Sequence, residues 1–186
     1  MLRAILKSQL DKFERHYRYD ATYMRDVLAV SPWTLAKFLL VSSLGKGRRA
    51  PAAVLAAAGI VGTLAEDCGP CTQISVDMAT EGGVPADTLR AILAGERGGM
   101  GEAVALVYDF ARAVLARDME EADPLRDEIV RRWGKGGLVD ISLSLTTARM
   151  YPTLKYGLGY GKTCSKVVVA GAATPFHKPM EPRLAA

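Results

Sequence analysis

Glu66-Asp67-Cys68-Gly69-Pro70-Cys71-Thr72-Gln73-Ile74-Ser75-Val76-Asp77-Met78 is the stretch on which the reading of this chain turns. It holds two of the three cysteines, spaced Cys-x-x-Cys. A helix opening at Asp67 or Cys68 brings both sulfurs into its first turn, three residues apart and on one side. That spacing permits a reversible disulfide with little backbone movement. Amide groups at a helix start favour negative charge, so a thiolate is stabilised there, with its pKa lowered from about 8.5 to ~7 or below. Thiolates are the nucleophilic form. The helix is expected from Gly69 to about Thr80, with Cys71, Ile74, Ser75 and Met78 on one face and Glu81-Gly82-Gly83 as its end.

Upstream, Pro51 starts a helix expected from Ala52 to about Glu66. It is rich in alanine, with Gly59 and Gly62 three apart, which suits a buried helix that another approaches closely. Before it, Leu2, Ile5, Leu6, Leu10, Phe13 and Tyr17 recur at helical spacing. Asp20 can cap a second helix with Tyr23, Val27 and Leu28 on one side. Ser31-Pro32 pairs a capping serine with a first-position proline. The third helix then carries Trp33, Leu35, Phe38, Leu39 and Leu40 and stops near Gly45. Lys46-Gly47-Arg48-Arg49 reads as an exposed, solvated basic loop. Residues 1–49 form an N-terminal helical arm on this reading.

Downstream, Pro85 opens a short helix with Leu89, Ile92 and Leu93. The glycine-rich run Gly95 to Gly101 lacks the following Gly-Lys-Ser/Thr of a phosphate loop. Glu102 to Arg117 is amphipathic, with Val104, Val107, Phe110, Ala111 and Val114 inward. Asp123-Pro124 reads as a helix start, with Leu125, Ile129, Val130 and Trp133 as the apolar face. Gly134-Lys135-Gly136-Gly137 breaks it. Leu138 to Tyr151 is helical, with Leu138, Ile141, Leu145 and Ala148 on one side. Asp140 sits in this apolar helix and needs a partner if buried. Pro152 is expected to kink or interrupt it. Strands are nearly absent from the pattern. The tail, with Val167-Val168-Val169-Ala170 and then Pro175, Pro179 and Pro182, is expected to wrap the surface or a neighbouring subunit. The fold class is all-α, about eight helices, divided as arm 1–49, dithiol domain 50–160 and irregular tail 161–186.

Hydrophobic residues make up 49% of the 186 and charged residues 24%, which places the chain among folded globular proteins. A net charge of +4 gives no argument for nucleic acid. The charge is uneven: from Lys135 onward, Lys135, Arg149, Lys155, Lys162, Lys166, Lys178 and Arg183 face only Asp140 and Glu181. Three cysteines do not make a disulfide framework. Lys7, Asp11, Lys12, Glu14 and Arg15 interrupt any signal-peptide pattern. The longest apolar region, Trp33 to Val41, contains Lys37 and is far below the ~20 residues of a membrane span. A reducing cytoplasm is the expected setting, where a Cys-x-x-Cys is catalytic or metal-binding more often than structural.

Four readings of Cys68 and Cys71 compete. A zinc site needs about four ligands, and beyond the pair the chain offers only the distant Cys164, His16 and His177. Cys-Gly-Pro-Cys is the tetrapeptide of thioredoxins, but that fold sets it after a strand, and here an alanine-rich helix precedes it. Inert packing of two small core residues is the third reading. The fourth is a redox pair on an all-α scaffold.

On three blocks the chain resembles the carboxymuconolactone decarboxylase and alkylhydroperoxidase D superfamily. They are Leu64 to Gln73 followed by Val76-Asp77-Met78-Ala79, then Val107 to Leu115, and last Leu138-Val139-Asp140-Ile141 running to Ala148-Arg149-Met150-Tyr151-Pro152. The resemblance spans about Pro51 to Tyr160. It implies an all-α, symmetric homo-oligomer with a peroxidase-type dithiol. On it, Cys71 attacks the peroxide and Cys68 resolves it as a disulfide. It implies no bound cofactor, and turnover by an external dithiol reductant, either a partner protein or a low-molecular-weight thiol. Peroxidase members carry a histidine four residues after the second cysteine and a glutamate twelve before the first; here these positions are Ser75 and Ala56. Glu66 is the local substitute for proton transfer, with Asp67 as a helix cap and Asp77 on a different face. A non-enzymatic alternative is an oligomeric helical protein whose apolar-then-basic segment Trp33 to Arg49 and basic tail bind a partner or an acidic membrane surface.

Overall fold

The computed structural model describes residues 1–161 and 167–176. Among them the fold is all-α, with nine α-helices and one small hairpin. The arm comprises α1 (Leu2–Tyr17), α2 (Thr22–Val30), α3 (Pro32–Ser42) and a closing 3₁₀ turn (Ser43–Gly45). Ser31 caps α3 as its sequence suggests, its hydroxyl accepting from the Thr34 N–H at 3.2 Å. The Asp20 carboxylate accepts the Thr22 N–H at 2.9 Å and starts α2. Leu6, Leu10, Tyr23, Met24, Leu28 and Leu35 bury into one apolar cluster. Ile74, Tyr151 and Leu154, from later helices, pack against that cluster.

The main core surrounds α4 (Ala52–Ala65). With no charged residue, this helix is buried nearly all round: Val54, Ala57, Ala58, Ile60, Val61 and Leu64 are all inside. A Cβ at Gly62 would lie 2.9 Å from the Leu145 carbonyl oxygen, so glycine is what allows the two backbones to meet. The Ser144 hydroxyl donates to Leu55 O across the same contact at 2.9 Å. Around α4 lie α5 (Gly69–Glu81), α6 (Ala86–Ala94), the single turn α7 (Arg97–Met100), α8 (Glu102–Ala116) and α9 (Met119–Gly157).

Two boundaries depart from the sequence reading, and a third agrees with it. The last long helix begins at Met119, not at Asp123-Pro124. Asp118 caps it, accepting from the Glu121 N–H at 3.0 Å, while Asp123 binds Arg126. Asp118 with Glu121 three residues on is the stronger start signal. Gly134 does break α9, at φ 67° and ψ 177°, a conformation glycine adopts without strain. Pro152 does not interrupt it: the helix continues to Gly157. Pro152 is buried and its neighbour Leu154 packs on the arm cluster, so packing outweighs the one ladder bond lost.

The basic loop 46–49 is more than a solvated linker. Asp140 is buried, and its carboxylate accepts the backbone N–H groups of Arg48 (3.0 Å) and Arg49 (2.9 Å) and the Arg49 guanidinium (2.9 Å). A Cβ on Gly47 would overlap that carboxyl. The partner expected for a buried Asp140 is thus this loop.

The tail also differs. Its valine run pairs as a hairpin, β1 (Val167–Val169) with β2 (Ala172–Thr174), antiparallel, Val168 facing Ala173. Ala170 and Gly171, both at positive φ, make the tight turn. Val167 and Val169 are buried in the main core and Val168 points out, the period-two pattern of a half-buried strand. Three valines were too few to reveal that alternation. Gln73 of the dithiol helix acts as a side-chain strand, its Nε2 donating to Val168 O (3.0 Å) and its Oε1 accepting from Val168 N (2.6 Å). Gln73→Ala is expected to remove hydrogen-exchange protection at the Val168 amide and to destabilise by about 1–2 kcal/mol; unchanged protection there would refute this clamp.

Candidate functional site

Cys68 and Cys71 are joined as a disulfide, Cα to Cα 5.2 Å. The local chain explains the placement. After α4, Asp67 takes a left-handed conformation (φ 52°), which aspartate tolerates better than most residues. The turn leaves Cys68 as the N-cap of α5, Gly69 and Pro70 as its first residues and Cys71 in the first turn. Proline fits there because its missing N–H has no ladder partner to lose. Thr72 locks the turn, both its N–H (2.9 Å) and its hydroxyl (3.0 Å) donating to Cys68 O.

Asp67 is not the helix cap that the sequence suggested. Cys68 is the N-cap residue instead, and among the described residues no side-chain hydrogen bond caps α5. The first-turn amides and the helix dipole are therefore available to a sulfur, and an N-cap side chain is the one placed to use them. Both sulfurs are well covered: Cys68 is 2% exposed and Cys71 6%. Ser75 donates its hydroxyl to Cys71 O at 3.2 Å, so its proton is used along its own helix.

Glu66 is held by Arg149 of α9, Oε1 lying 2.6 Å from Nε and 2.5 Å from a terminal guanidinium nitrogen. The Tyr156 hydroxyl lies 2.8 Å from both the Glu66 and the Asp67 carbonyl oxygens and donates to that pair. Arg149 and Tyr156, seven residues apart on one helix face, thus clamp the turn that leads into Cys68. Sequence reading gave them no role; their spacing shows that they point the same way, and only packing shows at what.

His16 does reach the dithiol helix, but at the wrong end. Its Nε2 lies 2.5 Å from Glu81 Oε1, and Tyr17 donates to Glu81 Oε2 at 2.9 Å. The His16 and Tyr17 bonds hold the Glu81 carboxyl below its usual range, while burial and then Glu81 push Tyr17 up to about 12. Glu81 lies ten residues beyond Cys71, about 15 Å along the helix axis. Asp77 is raised by burial and takes a hydrogen bond from Gln73 at 2.7 Å. Neither group completes a relay at the sulfurs. Cys164 and His177 lie outside the described residues. Among the described residues no three His, Cys, Asp or Glu side chains converge as a metal cluster.

Two hollows adjoin these elements. A groove of about 1310 Å³ runs along α9 and the end of α8; Arg149 lines it, but neither cysteine does. A smaller cavity of about 530 Å³ has Pro70 in its wall and Lys155 and Tyr19 in its lining. No described helix is long and apolar enough to cross a membrane. No family model, curated protein or solved structure matches the chain.

Proposed function

We propose that Cys68 and Cys71 are the redox centre of a thiol–disulfide oxidoreductase, with hydroperoxides as a further class of oxidant. The observation that carries this is the disulfide at the uncapped start of α5. A helix start stabilises the thiolate released when the disulfide opens. In reduction, a thiolate of an external dithiol attacks one sulfur and the other cysteine leaves. The donor's second thiol then attacks the mixed disulfide, giving the protein dithiol and the donor's disulfide. In oxidation by ROOH, the attacking thiolate becomes a sulfenic acid and ROH leaves with a proton. The second cysteine then displaces water and restores the disulfide.

The superfamily resemblance assigns attack on peroxide to Cys71 and resolution to Cys68. Glu66 is the carboxylate proposed to exchange the proton, and doing so requires it to release Arg149. With both sulfurs covered, small thiols and peroxides are the fitting reactants, in a reducing cytoplasm. The test is a redox titration of the folded protein in dithiothreitol buffers, with thiols counted by maleimide mass tagging. Two thiols are expected to appear in one cooperative step and to vanish again on adding hydrogen peroxide. A disulfide that opens only after unfolding would instead establish inert packing.

A second copy of the chain is the proposed partner. On α3, Trp33 is 69% and Leu40 70% exposed, with Val41 and Leu44 beside them. Such a stripe is a natural self-complementary surface. Light scattering is expected to show an oligomer that becomes monomeric in Trp33→Glu/Leu40→Glu; a wild-type monomer would remove this assignment. A partner of other chemistry, or an acidic membrane, on the same stripe is the non-enzymatic alternative.

A further inference from the structure

The cavity beside Pro70 is lined by Lys155 in the last turn of α9, Gly159 and Tyr160 beyond it, and Arg18, Tyr19 and Tyr23 around the α1–α2 turn. Asp20 and Thr22 complete the rim. Lys155 is 8% exposed, and no hydrogen bond or ion pair joins its amine to any described residue. Its near contact is the Tyr19 ring, whose centroid lies 5.5 Å from Nζ. Every fully sealed side-chain nitrogen or oxygen among the described residues has a hydrogen-bond partner. An amine without one therefore opens outward, and the hollow it lines is this cavity.

A lysine that merely covers apolar surface carries its ammonium into bulk water. This one holds it over an aromatic ring inside a recess. Burial lowers its affinity for a proton, with Asp20 opposing. Asp20 is itself engaged, accepting the Thr22 N–H and hydroxyl. The Tyr19 hydroxyl donates to Tyr23 and that of Tyr160 to Asp26, so the tyrosines offer mainly ring surface. With Arg18 and Lys155 against Asp20, the lining carries one excess positive charge. About 530 Å³ lies within the range of small-molecule sites.

We infer that this cavity binds a small organic carboxylate with an apolar or aromatic body, its carboxylate on Lys155 and its body against Tyr19, Tyr160 and Pro70. The carboxylate supplies the acceptor that the Lys155 ammonium lacks, and the Arg18 charge at the mouth draws it in. The site stands apart from the redox reading: its binding needs neither cysteine, and its failure would leave the dithiol chemistry untouched.

Calorimetry with phenylacetate as probe and phenylacetamide as its uncharged counterpart tests it. Wild type is expected to bind the acid about tenfold or more tightly than the amide, the margin of one charge-assisted hydrogen bond. Lys155→Met, which keeps the length and apolar stem, is expected to lose that margin. It should also melt higher than wild type, because it removes a desolvated charge with no ion partner. Lys12→Met, at an exposed position of α1, should leave binding unchanged. Should Lys155→Met fail to fold, the wild-type lysine side chains can be followed by NMR. The Lys155 signals should then move with the acid and not with the amide. Equal affinity for acid and amide, no binding of the acid at tens of millimolar, or undiminished binding to folded Lys155→Met would overturn the inference.

Discussion

In the Cys71→Ser protein, peroxide is expected to consume no thiol pair, whereas the reduced wild type loses two thiols and gains one disulfide. If Cys71 is the attacking sulfur, as proposed, its removal should slow the reaction with peroxide by on the order of a thousandfold or more, as is typical when a nucleophile is deleted. Cys68→Ser is expected to behave differently. On the proposed roles it keeps the attacking thiolate and lacks the resolver, so a sulfenic acid on Cys71 should accumulate and be trapped by dimedone as one adduct. The position of Cys68 at the helix N-cap sharpens the comparison. If the dimedone adduct forms in Cys71→Ser instead, the two roles are exchanged and the helix start, not the resemblance, decides the nucleophile. Unfolding does not confound the result. Closing a loop as short as Cys68 to Cys71 is worth only about 2 kcal/mol, a fraction of a domain's stability.

Asp140→Ala is expected to be the most damaging change away from the dithiol. It withdraws the one carboxylate that takes the Arg48 and Arg49 N–H groups and the Arg49 guanidinium. The loop is exposed, so water recovers part of the loss, and the net effect is about 2–4 kcal/mol. For a chain of this size that lowers Tm by roughly 5–12 °C. Gly47→Ala strikes the same contact from the other side, since its Cβ would overlap the Asp140 carboxyl. The double variant should therefore lose less than the sum of the two. The pH dependence follows in sign. The Arg49 backbone bond, followed by those of Arg48 and the Arg49 charge, holds the Asp140 carboxyl below its usual value. A depressed folded-state value gives stability that is fully present above the ordinary aspartate range and is lost as pH falls through the lowered one. Acid unfolding of Asp140→Asn should show a shallower slope in that window. An unchanged acid limb would remove Asp140 as its cause.

Much of the fold was legible because its signals are local. Ser31-Pro32, Pro51, the alanine-rich α4 and the Gly134 break each act within a turn or two of chain. Asp118 was overlooked because Asp123-Pro124 offered the same kind of signal five residues later, and the choice rested on which start the packed helix could use. The hairpin at Val167 was hidden for a different reason: a strand of three residues carries too little pattern, and Gln73, almost a hundred residues earlier, supplies its pairing.

The dithiol itself was determined by sequence alone. Its spacing, its proline and its place after α4 put both sulfurs at a helix start, because those are consequences of backbone geometry over a few residues. What surrounds it was decided only by the tertiary structure. Arg149 and Tyr156 hold the entering turn, His16 goes to the far end of the helix, Asp140 takes the basic loop, and Lys155 lines a cavity beside Pro70. Each of these contacts joins residues more than sixty positions apart. Helical periodicity states which way such a side chain points, and only the packing of helix against helix states what it meets.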